Sequence, residues 1–517
     1  MDQTILWADD EMDLLKPHLL FLNEKGYKVL TANNGADAID ILRTNDVDIV
    51  LLDENMPGLS GLETLTIVKN MQPEIPVVMI TKSEEESIME DAIGSKIADY
   101  LIKPVNPKQI LLSIKKNLDN KRLISEKTNV GYQQDFRNIG MSLSDRLNVE
   151  QWKEVYRKIV YWELEIEKTD DKSMIEILKS QRIEANAQFC KFVEKNYLKW
   201  VNNVSDDKPL MSHTLMRNKI LPSIEAEDCS FVLLMDNLRY DQWKVLQPII
   251  SQYYKVEEDD QFFAILPSAT QYARNAIFAG LMPSEIAKRY PAMWLNDEDE
   301  GGKNMHEESL FAEQLKRLGK NYKFSYNKIT NVAAGKKLVE SLPNLLKNKL
   351  NIIVYNFVDM LSHARTEMEI IRELAEDEAA YRSITQSWFE HSPLLDIIKY
   401  LSEKNIKVII TTDHGTVHVK QPIKITGDKN ITTNLRYKTG KSIDYNKKDV
   451  FEVRNPQDAF LPKQHVSSIF IFAKEDDFFA YANNFNHYAN YYKNTFQHGG
   501  ISLEEMIIPI ITLSPKN

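Results

Sequence analysis

Features that define several protein classes are scarce in this chain of 517 residues. Cysteine occurs only twice, as Cys190 and Cys229, which argues against a disulfide framework and fits a reducing compartment. No apolar run reaches the roughly 18 residues that a membrane span requires. The first residues lack the basic region and long apolar stretch of a secretory signal. We therefore expect a cytoplasmic protein with no membrane span.

The chain also has fewer basic residues than acidic ones. The chain has 64 Lys and Arg residues against 75 Asp and Glu residues, a formal net charge of −11. Duplex binding without sequence preference needs an excess of Lys and Arg. The sequence also lacks zinc-finger spacing, a basic heptad region and a helix-turn-helix pattern. We therefore expect no duplex DNA binding and no DNA-binding output module.

The length and the pattern of apolar segments predict about three domains. We place them at residues 1–119, 120–206 and 207–517. Strands and helices alternate in the first and third segments, whereas the second has only helical patterns. The predicted fold class is therefore α/β, with a doubly wound parallel five-stranded sheet, a helical-bundle connector and a larger α/β output domain.

Polar side chains follow the predicted strands of the first domain. Asp9 and Asp10 end one strand, Asp53 ends another, and Thr81 and Lys103 follow two later strands. Three carboxylates that converge at one sheet edge repel each other unless a cation joins them, and such a site suits Mg2+. Asp53 would then be the nucleophile toward a phosphoryl group, with Thr81 and Lys103 offsetting charge on the transferring oxygens.

This segment resembles, along its whole length, the receiver domain of two-component response regulators. The resemblance implies that Asp53 is phosphorylated and that Asp10, Asp53 and the carbonyl of Asn55 hold Mg2+, with Asp9 beside them. A cognate sensor histidine kinase and a phosphorylation-dependent homodimer are the implied partners.

The same resemblance assigns a switch to the receiver domain. Thr81 and Tyr100 would form the switch pair, and Lys103, followed by a cis Pro104, would contact the phosphoryl group. We expect phosphorylation of Asp53 to change dimerisation through the face that carries Tyr100.

Aromatic residues recur at helical spacing in the connector, which contains no proline from Asn120 to Asn203. The two sets are Trp152, Tyr156, Ile159 and Trp162, and then Phe189, Phe192, Val193, Tyr197 and Trp200. They predict a helical bundle with an aromatic seam. A surface that stacks nucleobases is the alternative, and residues 205–210 read as a short linker.

Strand ends in the output domain supply three aspartates and three histidines. They are Asp236, Asp359, His363, Asp413, His414 and His498. Two zinc-like ions, each with three protein ligands and an open position, would use all six. Because residues four apart share a helix face, Asp359 and His363 suit one ion, completed by His498. Asp236, Asp413 and His414 suit the other.

A nucleophile is expected between such ions, because paired metals clamp the attacking and leaving oxygens of a displacement at phosphorus. Thr270 follows a Pro-Ser turn at the start of a predicted helix, and metal coordination would activate its hydroxyl. Thr270 is thus also counted with the second metal site. Arg274, one turn on, would reach a phosphoryl oxygen. Ser268 is the weaker nucleophile and a turn cap.

A basic stretch at residues 434–441 is a candidate substrate contact. Arg436, Lys438 and Lys441 cluster around Tyr437 there and would attract a phosphorylated or nucleotide substrate. A solvated loop is the other interpretation.

The segments DNLRYD, PSAT, DMLSH, TTDHG and HGGISLEEM resemble the alkaline phosphatase superfamily, in its PglZ-domain branch, over about residues 225–515. The resemblance implies a zinc-dependent phosphodiesterase or phosphatase, acting on cyclic or linear nucleotides or oligonucleotides. A sulfatase is not expected, because Thr270 stands where that branch needs a modified cysteine or serine. The three-domain combination is similar to response regulators linked to type IX secretion.

Three functions stay open at this point. The first is a response regulator whose output is a two-zinc phosphodiesterase. The second is a scaffold that grips a sigma factor or a secretion component when Asp53 is phosphorylated. The third is a phosphomonoesterase, or a mutase-like enzyme that uses Mn2+.

Overall fold

The structure is a computed structural model that describes residues 3–73, 75–82, 97–169, 171–356, 377–427, 432–463 and 465–516. The chain forms two compact units, Met1–Gln133 and Gln134–Asn517. Among the described residues, no helix combines the length and the apolarity needed to cross a membrane.

The first unit is built on a five-stranded sheet in the order β2-β1-β3-β4-β5, with every neighbouring pair parallel. Its strands are β1 Thr4–Ala8, β2 Lys28–Ala32, β3 Ile49–Asp53, β4 Val77–Thr81 and β5 Asp99–Ile102. Its described helices are α1 Lys16–Glu24, α2 Gly35–Thr44 and α3 Gly61–Met71. The long helix α4 Pro107–Ser144 follows β5. The predicted doubly wound parallel sheet is confirmed.

Apolar side chains cover both faces of this sheet. β3 and β4 are buried along their whole length, as strands of a parallel sheet covered by helices should be. One apolar cluster includes Leu6, Val50 and Leu52, and the alternate residues of the same strands belong to a second cluster on the other face. The carboxyl ends of β1, β3 and β4 therefore bring their polar residues to one edge.

The connector contains the second half of α4 and two further long helices, α5 Val149–Glu167 and α6 Lys172–Val201. Asn148 and Asp171 accept backbone hydrogen bonds at their N-termini. The predicted helices are confirmed. Except for Trp162, the aromatic residues of both sets belong to the core cluster of the output domain or pack against it, and the ring centroids of Trp200 and Phe263 lie 5.7 Å apart. The seam therefore joins the connector to the output domain, and the division at residue 206 stays a proposal.

The output domain contains a six-stranded mixed sheet in the order β7-β19-β10-β6-β9-β8. Its strands are β6 Ser230–Met235, β7 Tyr254–Phe263, β8 Phe324–Ile329, β9 Leu350–Tyr355, β10 Lys407–Thr411 and β19 Ile507–Pro515. β10, β6, β9 and β8 run parallel, while β19 is antiparallel to both β10 and β7. The α/β class predicted for this domain is confirmed.

Helices and smaller sheets complete the output domain. The helices are α7 Ser212–Leu215, α8 Leu221–Ser223, α9 Tyr240–Ile250, α10 Thr270–Ala279, α11 Pro283–Arg289, α12 Glu307–Arg317, α13 Val332–Leu345, α14 Glu378–Glu390, α15 Pro393–Glu403, α16 Phe485–Tyr492 and α17 Leu503–Met506. The remaining strands are β11 Val417–His418, β12 Gln421–Gly427, β13 Tyr437–Gly440, β14 Ile443–Asp444, β15 Val450–Val453, β16 Ile469–Ala473, β17 Asp477–Tyr481 and β18 Phe496–Gln497.

Candidate active site

Two neighbouring parallel strands of the output sheet place acids side by side. Asp236 follows β6 directly, and Asp413 and His414 follow β10 after Thr412. Because β6 and β10 are paired, these three side chains meet at the carboxyl edge, where ligands of open α/β sheets bind. One ligand atom from each lies within 4.8 Å of the others, and all three residues are buried.

Thr270 stands at this cluster because helix α10 begins at that residue. Its hydroxyl oxygen lies 3.0 Å from Nε2 of His414. The Nδ1 atom of His414 lies 3.1 Å from the Gly415 carbonyl oxygen, which can only accept a hydrogen bond. Nδ1 is therefore assigned the proton, which leaves the Nε2 lone pair free to accept a hydrogen bond or bind a cation.

His498 lies next to His414 in space. The two imidazole rings stack with their centroids 4.2 Å apart and an interplanar angle of 21°. The other two residues assigned with His498 to the first metal site, Asp359 and His363, lie outside the described residues. The structure thus brings four of the six predicted metal ligands together, along with Thr270.

Arg274 is buried in this cluster. Its Nε lies 2.9 Å from Oδ2 of Asp413, another guanidinium nitrogen contacts Asp236, and Nη1 lies 3.6 Å from Oε1 of Glu307. The side chain is fully buried, with 0% exposure. Arg274 thus contacts both aspartates from the protein interior, and its predicted contact with a phosphoryl oxygen stays a prediction.

The donor set of Asp236, Asp413, His414 and Thr270 fits a divalent cation with open coordination positions. Burial raises the pKa of Asp413, but the charge of Arg274, together with further electrostatic and backbone hydrogen-bond contributions, lowers it to about 2. Asp413 is therefore ionised at neutral pH, as a metal ligand must be. Hydrogen bonding of Nδ1 to a carbonyl is also the usual arrangement of a metal-binding histidine.

The candidate substrate contacts at residues 434–441 are mostly buried. All the donors of the Arg436 guanidinium face protein acceptors, among them Glu505 and the carbonyl oxygen of Asp477. Tyr437 is buried, with its hydroxyl 2.7 Å from Oδ1 of Asp297. Only Lys441 is exposed. These bonds favour a structural role for Arg436, and its predicted substrate contact stays a prediction.

Ser268, which the sequence predicted as a turn cap, and three glutamates that it did not single out also shape the site. Ser268 donates a 2.8 Å hydrogen bond to the Gly500 carbonyl and accepts one from the Gly499 N–H at 3.2 Å. This buried serine ties the turn before Thr270 to the turn that carries His498. Glu307, the third acid partner of Arg274, lies far from any motif. In the sequence, Glu504 and Glu505 stand out only as two adjacent acids in the segment SLEEM.

The receiver unit has a second acidic cluster. Carboxylate oxygens of Asp9, Asp10 and Asp53 lie within 4.8 Å of one another. The Lys103 ammonium lies 2.7 Å from Asp9 and 3.0 Å from Asp53. Burial raises the pKa of Asp53, and the bond with Lys103 offsets only part of that rise. The three acids suit Mg2+, an ion that prefers carboxylates and water.

The other receiver residues also lie where the sequence predicted. Thr81 ends β4. Burial raises the pKa of Tyr100 in the neighbouring strand β5, and a hydrogen bond with Thr81 offsets only part of that rise. The Lys103–Pro104 peptide is cis, as predicted. Asn55 is exposed two residues after β3. The roles of these residues in phosphorylation and switching stay predictions.

Comparisons with known families assign three parts of the chain. Residues 5–115 match a response regulator receiver domain, residues 122–201 a PorX response regulator linker domain, and residues 215–513 the BREX system PglZ alkaline phosphatase-like domain. The fold and both sites thus define a response regulator with an alkaline phosphatase-like output domain. The PglZ match covers more than half of the chain, and the chain therefore belongs to the PglZ alkaline phosphatase-like family.

Two response regulators are similar to the receiver part of the chain. The chain is 34% identical over 119 residues to the transcriptional regulatory protein ZraR of Klebsiella oxytoca, covering 23% of this chain and 27% of that protein. It is 33% identical over 110 residues to the response regulator SaeR of Staphylococcus aureus, and the match covers 21% of this chain and 48% of that protein. The chain thus spans at most about half the length of these two relatives.

Solved receiver structures are similar to the same part. A receiver domain protein from Clostridium thermocellum is 29% identical, covers 23% of this chain and 98% of its own, and gives a TM-score of 0.23. The receiver domain of NtrX from Brucella abortus is 29% identical and gives a TM-score of 0.22. The match covers 22% of this chain and 98% of the NtrX chain.

Proposed function

We propose that the output domain is a two-zinc phosphodiesterase with Thr270 as its nucleophile. One observation carries the proposal: a partly exposed threonine hydroxyl lies 3.0 Å from His414, next to two buried aspartates at the carboxyl edge of the sheet. A cyclic or linear nucleotide or oligonucleotide is the proposed substrate class, which rests on the family resemblance.

Asp236, Asp413, His414 and Thr270 would hold one Zn2+, and Asp359, His363 and His498 the other. When bound, zinc stabilises negative charge on the oxygens around phosphorus and lowers the pKa of an attacking hydroxyl. The Nδ1–H bond to Gly415 keeps the His414 ring oriented with Nε2 toward Thr270.

Thr270 is placed to attack phosphorus from the start of helix α10. Ala269 at the helix N-terminus provides no side-chain cap, and the positive end of the helix would attract phosphoryl oxygens. Attack forms a bond between Oγ1 and phosphorus and releases the alcohol of the leaving group. Water then cleaves the phosphothreonine and restores the hydroxyl.

The test is an assay of the full chain with zinc and bis-p-nitrophenyl phosphate. We expect turnover that EDTA abolishes and zinc restores, and slower turnover of the monoester p-nitrophenyl phosphate. Faster monoester turnover would replace the diesterase with a phosphomonoesterase. No turnover of either ester by zinc-loaded protein contradicts the proposal.

We further propose that the receiver controls this output. A cognate histidine kinase would phosphorylate Asp53 in the cytoplasm, with Mg2+ held by Asp9, Asp10, Asp53 and Asn55, and Lys103 would neutralise charge on the phosphoryl group. Dimerisation through the face of Tyr100 would follow. A role in regulating type IX secretion rests on the resemblance to response regulators of that system.

A further inference from the structure

Segment 498–506 links the parts of the candidate active site. It starts at His498 and ends with helix α17. Residues Glu504 and Glu505 of this helix contact the Asp413–Gly415 turn, which carries two of the proposed metal ligands. The Gly415 N–H donates to the Glu505 carbonyl at 3.2 Å. At the other end, Gly499 and Gly500 bond to Ser268, two residues before Thr270.

The turn that carries Asp413 and His414 rests directly on the backbone of helix α17. A Cβ atom added to Gly415 would lie 2.1 Å from the Glu504 carbonyl oxygen, closer than any real Cβ contact. Only a glycine permits this approach, and the two backbone segments are in contact without a side chain between them. A displacement of α17 must therefore displace the turn and the His414 imidazole.

The connector fixes α17 through the Glu504 side chain. This carboxylate is 2% exposed and accepts hydrogen bonds from Arg182 Nε at 2.7 Å and Asn186 Nδ2 at 2.9 Å. Asn186 also accepts the Leu503 N–H at 2.9 Å, at the start of α17. Arg182 and Asn186 both lie in α6, one turn apart, so a single connector helix holds both the backbone and the side chain of α17.

A third residue of the same helix face adds to this attachment. The Cys190 thiol lies 3.2 Å from the Ile501 carbonyl oxygen and 3.3 Å from the Glu475 backbone nitrogen. Residues 182, 186 and 190 recur every four positions and therefore form one stripe of α6. That stripe runs along segment 498–506.

We propose that Glu504 is a positioning residue for the metal site, and that connector helix α6 sets the geometry of His414 and His498 through it. The inference rests on the proposed metal site but not on catalysis. It gives the connector a direct mechanical route to the ligands: a movement of α6 shifts α17, and α17 shifts the Asp413–Gly415 turn.

The test compares Glu504→Gln with Asp260→Asn in the full chain. Asp260 also ties the connector to the output domain, through Lys153 at 3.2 Å and Arg157 at 3.0 Å, but on strand β7. Arg182 keeps Glu163 and Glu378 as partners when Glu504 loses its charge, so we expect the Glu504→Gln protein to fold. Asn186→Ala is the second variant, because it weakens the same attachment from the connector side.

Two measurements separate positioning from general stability. The first is amide hydrogen exchange of peptides containing Gly415 in protein treated with EDTA. We expect exchange to be at least about tenfold faster in Glu504→Gln and Asn186→Ala, but unchanged in Asp260→Asn. The second is zinc affinity by chelator competition, which we expect to fall about tenfold, the scale for loss of residues that orient metal ligands.

The outcomes are distinct from those of the proposed function. Exchange and affinity that are unchanged in Glu504→Gln and Asn186→Ala, or altered equally in Asp260→Asn, overturn the positioning role. A protein that hydrolyses no ester but shows the expected exchange pattern would contradict the phosphodiesterase and leave the positioning role standing.

Discussion

The hydroxyl oxygen of Thr270 lies 3.0 Å from Nε2 of His414, although 144 positions separate the two residues in the sequence. The fold explains the meeting: α10 begins at Thr270, and β10 ends two residues before Asp413. The proposed nucleophile thus lies at a helix N-terminus and faces the proposed metal ligands at a sheet edge. Acidic strand ends attract cations there, and the positive helix end attracts anions.

Replacing Thr270 tests its role as nucleophile. We expect Thr270→Ala to lower kcat/KM for bis-p-nitrophenyl phosphate by at least about a thousandfold, because the attacking oxygen is lost. Thr270→Ser keeps that oxygen and should retain measurable turnover. Metal analysis of each variant is the control, since Thr270 is also a proposed ligand. Equal turnover by wild type and a metal-loaded Thr270→Ala protein would exclude the nucleophile assignment.

Replacing Arg274 tests its role between the two aspartates. We expect Arg274→Met to destabilise the EDTA-treated protein by about 3–5 kcal/mol, because Asp236 and Asp413 lose their shared buried cation. Zinc should then raise the melting temperature of this variant more than that of wild type. Arg382→Met is the matched control, since Arg382 is also buried but pairs with Asp241 and Glu167.

The comparison of zinc-induced melting shifts decides the outcome for Arg274. An equal shift in wild type, Arg274→Met and Arg382→Met would mean that Arg274 does not share the carboxylates with the cation. Loss of the zinc-induced shift in Arg274→Met alone would mean that the guanidinium is needed to keep the two aspartates in place.

The sequence predicted the strand-end residues of the site better than their surroundings. Asp236 and Asp413 were found because buried apolar strands end abruptly in acids, a pattern that local sequence contains. The partners of Arg274 were not predictable in this way: Asp413 is 139 positions away, and Glu307 belongs to no motif. Whether a cation is buried depends on such tertiary contacts, so the burial of Arg274 between the two aspartates was not predictable from the sequence.

Similar reasoning explains the connector and the basic stretch. The helical spacing of Trp152 and Trp200 predicted buried faces but not all the partners that bury them, which include the output domain as well as the connector helices. Arg436 looked exposed beside two lysines. Its acid partner, Glu505, is 69 positions away, and such long-range pairs leave no trace in local charge patterns.

Phosphorylation of the receiver can be tested with acetyl phosphate. We expect wild type to incorporate phosphate in a Mg2+-dependent reaction and Asp53→Asn to incorporate none, because the acceptor carboxylate is removed. Lys103→Met should slow the reaction, since its ammonium lies 3.0 Å from Asp53. Lys82→Met, which alters a more exposed lysine paired with Glu11, is the matched control. Phosphate on the Asp53→Asn protein would place the acceptor elsewhere.

The stability of the output domain should depend on pH through Lys438. This lysine is fully buried, donates to the Thr432 carbonyl at 2.7 Å and lies 4.7 Å from the Tyr481 ring centroid. Burial lowers its pKa from 10.5 to about 7. Between these values the unfolded chain holds a proton that the folded chain has lost, so the free energy of unfolding rises with pH. Below about pH 7 the full cost of burying the charge remains.

Lys438→Met removes this dependence, because methionine fills similar space and does not titrate. We expect the stability of wild type relative to Lys438→Met to increase steadily between pH 7 and about pH 9.5, in urea titrations followed by tryptophan fluorescence. Six of the seven tryptophans lie in residues 134–517, so this signal reports the unit that contains Lys438. Lys441→Met, at an exposed position three residues on, should give a curve parallel to wild type. Parallel curves for wild type and Lys438→Met would show that Lys438 keeps an ordinary pKa in the folded protein.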